Sequence, residues 1–385
     1  MSDVTPRLLL VVGLLTTLGT VMIASASLPA SAIRYDNPTH FLAKHLLALA
    51  LGVLVFWVCA RISYRRLMDW DDKILLVAFG LMALTLIPGL TVRGSWLRLP
   101  GPFQIQPTEF FKLALIISLA AMVTRKGERV RDFTDGPLAA LAIAGVGALI
   151  ALKQSDFAMA FIFLVIASYM LFLGGGRLLH LVLVALAALP VLTWLIVQAP
   201  YRFARFLAFL DPFRYSTTEG YQLIQSLTAI GSGGLLGRGL GESREKLLYL
   251  PEPYNDFIFA IIGEELGLVG ALVVIGLFLS LGYLGYSIAL RASDRFGALL
   301  ASGITFTLLT QAAINLGVAT GLLPVTGLTL PFISYGGSSL IVSLAMVGIL
   351  VNIAQGASGN EDGARLWGRD GRASLSRLSD LGRVE

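Results

Sequence analysis

Residues 237–267 read GRGLGESREKLLYLPEPYNDFIFAIIGEELG. A polar loop carrying Pro251 and Pro253 ends at Asp256, and an apolar helical stretch begins at once, with Glu264 and Glu265 inside it. Ionisable groups at the mouth of a membrane helix or within it are costly to desolvate, so they mark functional sites by default. If this stretch enters a bilayer, the remaining chain must supply the scaffold around it.

Composition agrees. The 385 residues are 56% hydrophobic and only 14% charged, against roughly 25% charged in ordinary soluble domains. Mean hydropathy is +0.78, and the apolar residues come in blocks near the ~20 residues needed to cross a bilayer. One cysteine, Cys59, excludes an intramolecular disulfide. His40, His45 and His180 have no ligand-like neighbours, so no metal site built from Cys and His is expected. No nucleic-acid partner is expected either.

The apolar-length rule predicts an all-α polytopic membrane protein of about ten transmembrane helices. They fall near 8–28, 41–60, 73–91, 108–124, 137–153, 157–174, 178–198, 257–290, 296–317 and 334–355. The fifth and sixth are divided only by Lys153-Gln154-Ser155-Asp156. The first block runs into Ala24-Ser25-Ala26, the outline of a signal-peptide cleavage site, but the charge pattern needs this span retained. Arg61, Arg65, Arg66 and Lys73 lie in one loop and Arg125, Lys126, Arg129 and Arg131 in another, while the alternate loops carry only Arg34, then Arg93 and Arg98, then Lys153. By the positive-inside rule both termini are cytoplasmic and the loop 199–256 is extracytoplasmic. Residues 1–355 then form a single membrane domain, followed by a polar, disordered cytoplasmic tail, 356–385. An enzyme facing outward meets no ATP, so its substrate must carry the driving force.

Within the long loop, Tyr201–Leu210 and Tyr221–Ile230 have the spacing of interfacial helices. The run Gly231, Gly233, Gly234, Gly237, Gly239 and Gly241 could cradle a phosphate through backbone N–H groups or permit close backbone packing. Asp256 could cap the helix that follows, or act as a general base whose pKa is raised by partial desolvation. On a continuous helix Glu264 is rotated by about 80° and Glu265 by about 180° from it. Of the two, Glu264 is the better placed to line the same cavity and Glu265 to pair with another helix, but structural ion-pairing inside the bundle is the favoured reading for both. Glu109 and Lys112 can form an intrahelical pair, or leave Lys112 free for a lipid-linked anion. Arg93, Arg98, Arg202 and Arg205 could grip a diphosphate. Gln311 and Asn315 lie one turn apart in an apolar span, ahead of an uncharged loop, Gly321–Ser339, rich in Gly, Pro, Ser and Thr. Irregular backbone at membrane depth has to line a cavity or be buried in protein.

The segments Gln106–Lys112, Gly220–Gly241, Leu247–Gly267 and Gly321–Ser339 resemble those of the SEDS family, the shape, elongation, division and sporulation proteins that include FtsW and RodA. The details of the first span, of Gly239–Leu250 and of PVTGLTLPFISYGGSS resemble the FtsW branch more than RodA. The resemblance implies a peptidoglycan glycosyltransferase that polymerises lipid II into β-1,4 glycan strands outside the cytoplasmic membrane during cell division. Asp256 would be its general base in an inverting attack. It places Glu109 and Lys112 on the family's polar pair and Ser338 and Ser339 on its last motif, with Asp156, Arg98, Arg205 and Glu264 as supporting residues. No certain cofactor is implied, though a divalent cation could accompany the lipid diphosphate. The implied partners are lipid II, a class B penicillin-binding protein transpeptidase and other divisome proteins, at the septal membrane. The chain departs from the family pattern at Tyr254-Asn255 (usually His-Thr), at Ser155–Met159 (usually Pro-Asp-Leu-Gly-Thr) and at Ser95 (usually Arg). Alternatives are a lipid II flippase, a RodA-like elongation polymerase and a non-catalytic scaffold.

Overall fold

The computed structural model describes residues 3–92, 94–98, 104–180, 182–183, 186, 197–198 and 200–356. Arg93, most of the span predicted at 178–198 and all but the first residue of the tail 356–385 lie outside them. In chain order the helices are α1 (Val4–Tyr35), α2 (His40–Arg61), α3 (Arg65–Asp69), α4 (Asp71–Leu84), α5 (Pro107–Lys126), α6 (Ala139–Lys153) and α7 (Phe157–Leu173). They continue with α8 (Pro200–Leu210), α9 (Tyr221–Gly233), α10 (Ile258–Leu290), α11 (Arg295–Ala319) and α12 (Gly337–Gly356). Among the described residues seven helices are long and apolar enough to cross a membrane, namely α1, α2, α5, α6, α10, α11 and α12. The chain is a polytopic helical membrane protein.

One sequence expectation needs correction. The span predicted at 73–91 is helical only to Leu84, and the backbone then turns into a small antiparallel sheet of Thr91–Val92 (β1), Trp96–Arg98 (β2) and Gln104–Ile105 (β3). Thr91 pairs with Leu97, and Leu97 with Ile105. Thr91, Val92 and Ile105 are β-branched, the residues that suit a short pleated ribbon, so the protein is not all-α. α9, whose spacing suits an interfacial helix, packs one face against the bundle. It turns Leu223, Ser226 and Ala229 inward, and the Ser226 hydroxyl donates to the Ala319 carbonyl at 2.7 Å.

α5 and α12 are the most enclosed spans, and α2 is the most open to the lipid. The end of α1, the starts of α2, α5, α10 and α12, the end of α11 and the α6–α7 turn gather at one face of the bundle. At the opposite face Tyr64 and Arg65 bond Asp294 (2.6 and 2.9 Å), and Arg125 pairs with the buried Asp71 at 2.6 Å. Each of these ties joins segments that are separate along the chain.

The long helix α10 is broken at Gly267 (φ 67°, ψ −164°). A break strands backbone groups that have no water to turn to at membrane depth. Here the glycine run satisfies them. Arg238 and Gly239 donate their N–H groups to the Glu264 and Glu265 carbonyls, both at 3.0 Å, while Leu268 and Val269 donate to Gly234 and Leu235. The backbones lie so close that a Cβ on Gly237 would meet the Glu265 carbonyl oxygen at 2.2 Å. The run is therefore a packing device, and these N–H groups are not free for a phosphate. A Gly267→Ala substitution meets both a positive φ and the Gly237 nitrogen at 2.3 Å. It should destabilise by about 1–3 kcal/mol, whereas Gly276→Ala, on the same helix with open space around it, should be neutral or better. Thermal unfolding midpoints in detergent compare the two.

Candidate active site

The site is built upward from a buried cation. Lys112 on α5 is 1% exposed and cannot remain charged there without partners. Its ammonium donates to Glu109 Oε2 at 2.5 Å and to Gln311 Oε1 of α11 at 2.6 Å. The Gln311 amide nitrogen then donates to the Thr329 carbonyl at 3.0 Å, and the Thr329 hydroxyl bonds Ser339 at 3.0 Å. Lys112 is thus committed to structure and is not left over for a lipid-linked anion. On the same floor the Gln106 N–H donates to Ser338 Oγ at 3.0 Å, and its side-chain amide donates to Asp156 Oδ2 at 3.1 Å. Asp156 caps α7, accepting from the Met159 N–H at 3.1 Å.

Asp256 is not part of α10. Phe257 is the cap residue, no side chain caps the helix, and helical geometry begins at Ile258. The capping reading of Asp256 therefore fails. So does the helical-wheel argument that aligned it with Glu264, because the wheel angle does not extend across non-helical residues. What fixes Asp256 is its backbone. Asn315, one turn beyond Gln311, donates its side-chain N–H to the Asp256 carbonyl at 2.8 Å and to the Leu328 carbonyl at 2.7 Å. The loop 321–336 is held from inside by the same two amides. It runs buried through Leu328, Leu330, Phe332 and Ile333, and presses its Phe332 carbonyl against Gly19 of α1.

A cavity of about 980 Å³ lies over this floor. Asp256, Asp156, Arg205, Ser338 and Ser339 line it, together with Arg34, Lys44 and Glu252. Its flanks include apolar side chains of α2 and α12, Leu47, Leu51 and Ile341. The Asp256 carboxyl lies deep among protein atoms and meets solvent through the cavity. Burial, reinforced by the Glu252 charge and opposed by Arg205, pushes its pKa up to about 7, with Asp156 adding a smaller push. Burial likewise raises Asp156 to about 6 against the hydrogen bond from Met159. Two carboxyls that share a cavity, each raised towards neutrality, suit proton transfer near pH 7.

The other sequence candidates lie elsewhere. Glu109 and Lys112 sit beneath the cavity. Arg98, exposed on β2, does not line it, and Arg202 has no described side chain. Glu264 is buried outside the cavity, accepting from the Ser243 hydroxyl (2.5 Å) and the Arg244 N–H (2.9 Å), with Arg238 at 3.5 Å. The structural pairing favoured for it thus agrees with what is seen, and only the alternative that placed it in the cavity of Asp256 is corrected. Glu265 pairs with Lys246 at 2.8 Å, and Ser25 of α1 donates to it at 2.6 Å. That serine belongs to the Ala24-Ser25-Ala26 run, which lies inside the helix rather than beyond it. Gln311 and Asn315, paired polar groups in the sequence, prove to hold the floor, while Arg34 and Glu252 carry no sequence signal as site residues. Two amides one turn apart in an apolar span need polar partners, which is what marks Gln311 and Asn315.

The family model described as "Cell cycle protein", covering FtsW, RodA and SpoVE, matches residues 6–359. This chain belongs to that family. It is 42% identical to the probable peptidoglycan glycosyltransferase FtsW of Trichlorobacter lovleyi over 353 residues, 91% of this chain and 92% of that one. It is 41% identical to the stage V sporulation protein E of Bacillus subtilis, over 91% of this chain and 97% of the relative. A chain solved in work on the structural coordination of polymerization and crosslinking by a peptidoglycan synthase complex superposes with a TM-score of 0.75 at 32% identity. That match covers 91% of this chain and 97% of the other. The chain's departures from the FtsW/RodA/SpoVE pattern fall around the cavity. Tyr254 is buried against Phe41 (ring centroids 4.6 Å apart), and its carbonyl accepts from the Tyr335 N–H. Asn255 donates to Glu252 at 2.7 Å, Ser95 lines the cavity, and Ser155 adopts a left-handed φ of 61° at the α6–α7 turn.

Replacing Lys112 by Met leaves the Glu109 carboxylate buried and unpaired, which should cost roughly 3–5 kcal/mol. Adding Glu109→Gln should recover most of that loss. Unfolding midpoints of the single and double variants in detergent measure the coupling.

Proposed function

We propose that this chain is a peptidoglycan glycosyltransferase that polymerises lipid II on the outer face of the cytoplasmic membrane, with Asp256 as general base. The observation that carries the reading is the placement of Asp256, a carboxyl with its pKa near 7 on the wall of a cavity that also holds cations and an apolar flank. A lipid-linked sugar diphosphate has the same three parts. Its hydroxyls suit the carboxyls, its diphosphate the cations, and its isoprenoid the side chains facing α2 and α12.

In this mechanism Asp256 takes the proton from the 4-hydroxyl of the acceptor GlcNAc as that oxygen attacks the anomeric carbon of the donor MurNAc. The new glycosidic bond forms with inversion as the bond to the undecaprenyl diphosphate breaks. Leaving-group charge is stabilised by cations positioned before the reaction begins, and Arg205 is one of those lining the cavity. Asp156, Ser338 and Ser339 present acceptors and hydroxyls to the sugars, while Glu109 and Lys112 act from below by holding the floor rigid. Among the described residues no three His, Cys, Asp or Glu side chains converge on a metal position, so a divalent ion would depend on the ligand's own phosphate oxygens.

The basic loops support ten spans with both termini cytoplasmic and the loop 199–256 outside, residues 1–355 as the membrane domain, and 356–385 as a cytoplasmic tail. The FtsW relative supports a role at the division septum, and the synthase-complex neighbour supports a class B penicillin-binding protein as the crosslinking partner.

Purified protein, alone and with its transpeptidase, should elongate lipid II into glycan strands. Asp256→Ala should lose about 10²–10⁴-fold in rate while keeping its unfolding midpoint. Strands formed by Asp256→Ala at the wild-type rate would overturn the reading. A base must be deprotonated to work, and the folded pKa of Asp256 is raised. The rate should therefore be flat above about pH 7 and fall roughly tenfold per pH unit below it, where an unperturbed aspartate would lose nothing until near pH 4. Initial rates across pH 5–9 locate that limb.

A further inference from the structure

Glu252 stands four residues before Asp256 in a conformation that non-glycine residues rarely adopt, with φ at 48°. Such strain persists where surrounding contacts over-determine it, and it collects at functional sites. The contacts here are specific. Arg34, at the outer end of α1, donates to Glu252 Oε1 at 3.0 Å, and Asn255 donates to Oε2 at 2.7 Å. The Asn255 N–H also donates to the Glu252 carbonyl at 3.0 Å. The Glu252 carboxylate is therefore strung between a cation on another helix and the residue that adjoins the base.

The two sides of this arrangement differ in permanence. The Asn255 contact is local, across three residues. The Arg34 contact spans 218 residues of sequence, lies at the cavity, and leaves the arginine side chain 47% exposed. An exposed pair of this kind is worth little by itself, whereas a diphosphate offers a guanidinium bidentate, doubly charged contacts. Glu252 is also the charge that acts most strongly on Asp256 after burial itself. Its effect depends on how far Arg34 neutralises it.

We propose that Arg34 and Glu252 form a ligand-operated switch on the base: the diphosphate of the bound lipid donor draws the Arg34 guanidinium off Glu252, and the uncompensated Glu252 carboxylate makes Asp256 a stronger base. This rests on the reading of the cavity given above. Glu252 touches no reacting atom and is a positioning residue. The other charged groups facing Asp256 are Arg205 on α8 and Asp156 at the α6–α7 turn. Lys44 on α2 and the phenols of Tyr35, Tyr254 and Tyr335 also line the cavity; Arg34 must give up its 3.3 Å bond to the Tyr254 hydroxyl as well as its pair with Glu252, while the other groups stay in place. The consequence is timing, since the base reaches full strength when a donor is in position.

The test is a pair of pH profiles for lipid II polymerisation. The acidic limb of kcat/KM reports the base in the free enzyme, and that of kcat reports it in the complex. In the wild type the kcat limb should lie higher by roughly one pH unit, the size of one nearby charge. In Glu252→Gln both limbs should coincide at a lower pH, and in Arg34→Gln both should coincide at the higher one. Coincident wild-type limbs, or a gap that survives either substitution, would overturn the switch. A second readout needs no turnover. The infrared band of the Asp256 carboxyl, identified by its loss in Asp256→Asn, is titrated in zwitterionic nanodiscs with and without undecaprenyl diphosphate. The lipid should move that titration upward in the wild type and leave it unmoved in Arg34→Gln. An equal shift produced by anionic phospholipid alone would overturn the assignment to the donor's diphosphate. Wild-type polymerisation by Asp256→Ala would remove the underlying reading, whereas an inactive Asp256→Ala beside an unaltered Glu252→Gln profile would remove the switch alone.

Discussion

An ammonium group 1% exposed at the centre of a membrane bundle leaves the protein little freedom. Lys112 must be neutralised and its donors filled where it stands, because isolated burial of a charge costs several kcal/mol or more. Glu109 neutralises it from one turn away, and the Gln311 amide oxygen accepts a second hydrogen bond from across the helix interface. Gln311 thereby turns its amide nitrogen towards the loop that follows α11, and Thr329 and Ser339 follow in sequence. The floor of the cavity is this chain of bonds. α5, α11 and the start of α12 cannot shift relative to one another without leaving a charge or an amide unpaired, so the walls above the floor are held to a narrow geometry.

A second constraint acts on the backbone. The break of α10 at Gly267 would strand carbonyls in the bilayer unless another segment supplied N–H groups, and the glycine run 233–239 does so. Only glycines allow the two backbones to approach so closely. Glu264 and Glu265 reinforce this join from the side. One gathers the turn at Ser243 and Arg244, and the other holds Lys246 against α1. The loop that ends in Asp256 is thus fastened at both ends, by the glycine join before it and by Asn315 after it. Polar groups that look dispersed along the sequence serve one purpose, which is to keep a single carboxyl in place on a cavity wall.

Much of this was legible beforehand, for identifiable reasons. Apolar length marks membrane helices reliably because the bilayer punishes any other backbone arrangement, and α1, α2, α5, α6, α10, α11 and α12 lie where that rule put them. A carboxyl at the mouth of an apolar helix is legible either as a cap or as a functional group, and the sequence leaves Asp256 between the two. The misreadings share one cause. Placing Glu264 beside Asp256 assumed that helical periodicity begins at the aspartate, whereas the helix begins two residues later. Extending the third span to residue 91 treated apolar composition as helix, where the chain had begun a β-ribbon. The glycine run suits a phosphate cradle and close packing alike, because both need the same residue type and differ only in what lies opposite.

The sequence by itself determined the class of the molecule, seven of its membrane helices and its family resemblance, and it marked Asp256 as a candidate. These are properties of local composition, period and ungapped motif, and they survive in one dimension. Tertiary structure alone decided which charges meet. Lys246 finds Glu265, Arg34 finds Glu252, and Arg98 stays outside the cavity that Arg205 lines. Such pairings depend on side chains brought together from distant positions by the packing of helices, and an ion pair formed across 218 residues leaves no periodic trace in the chain.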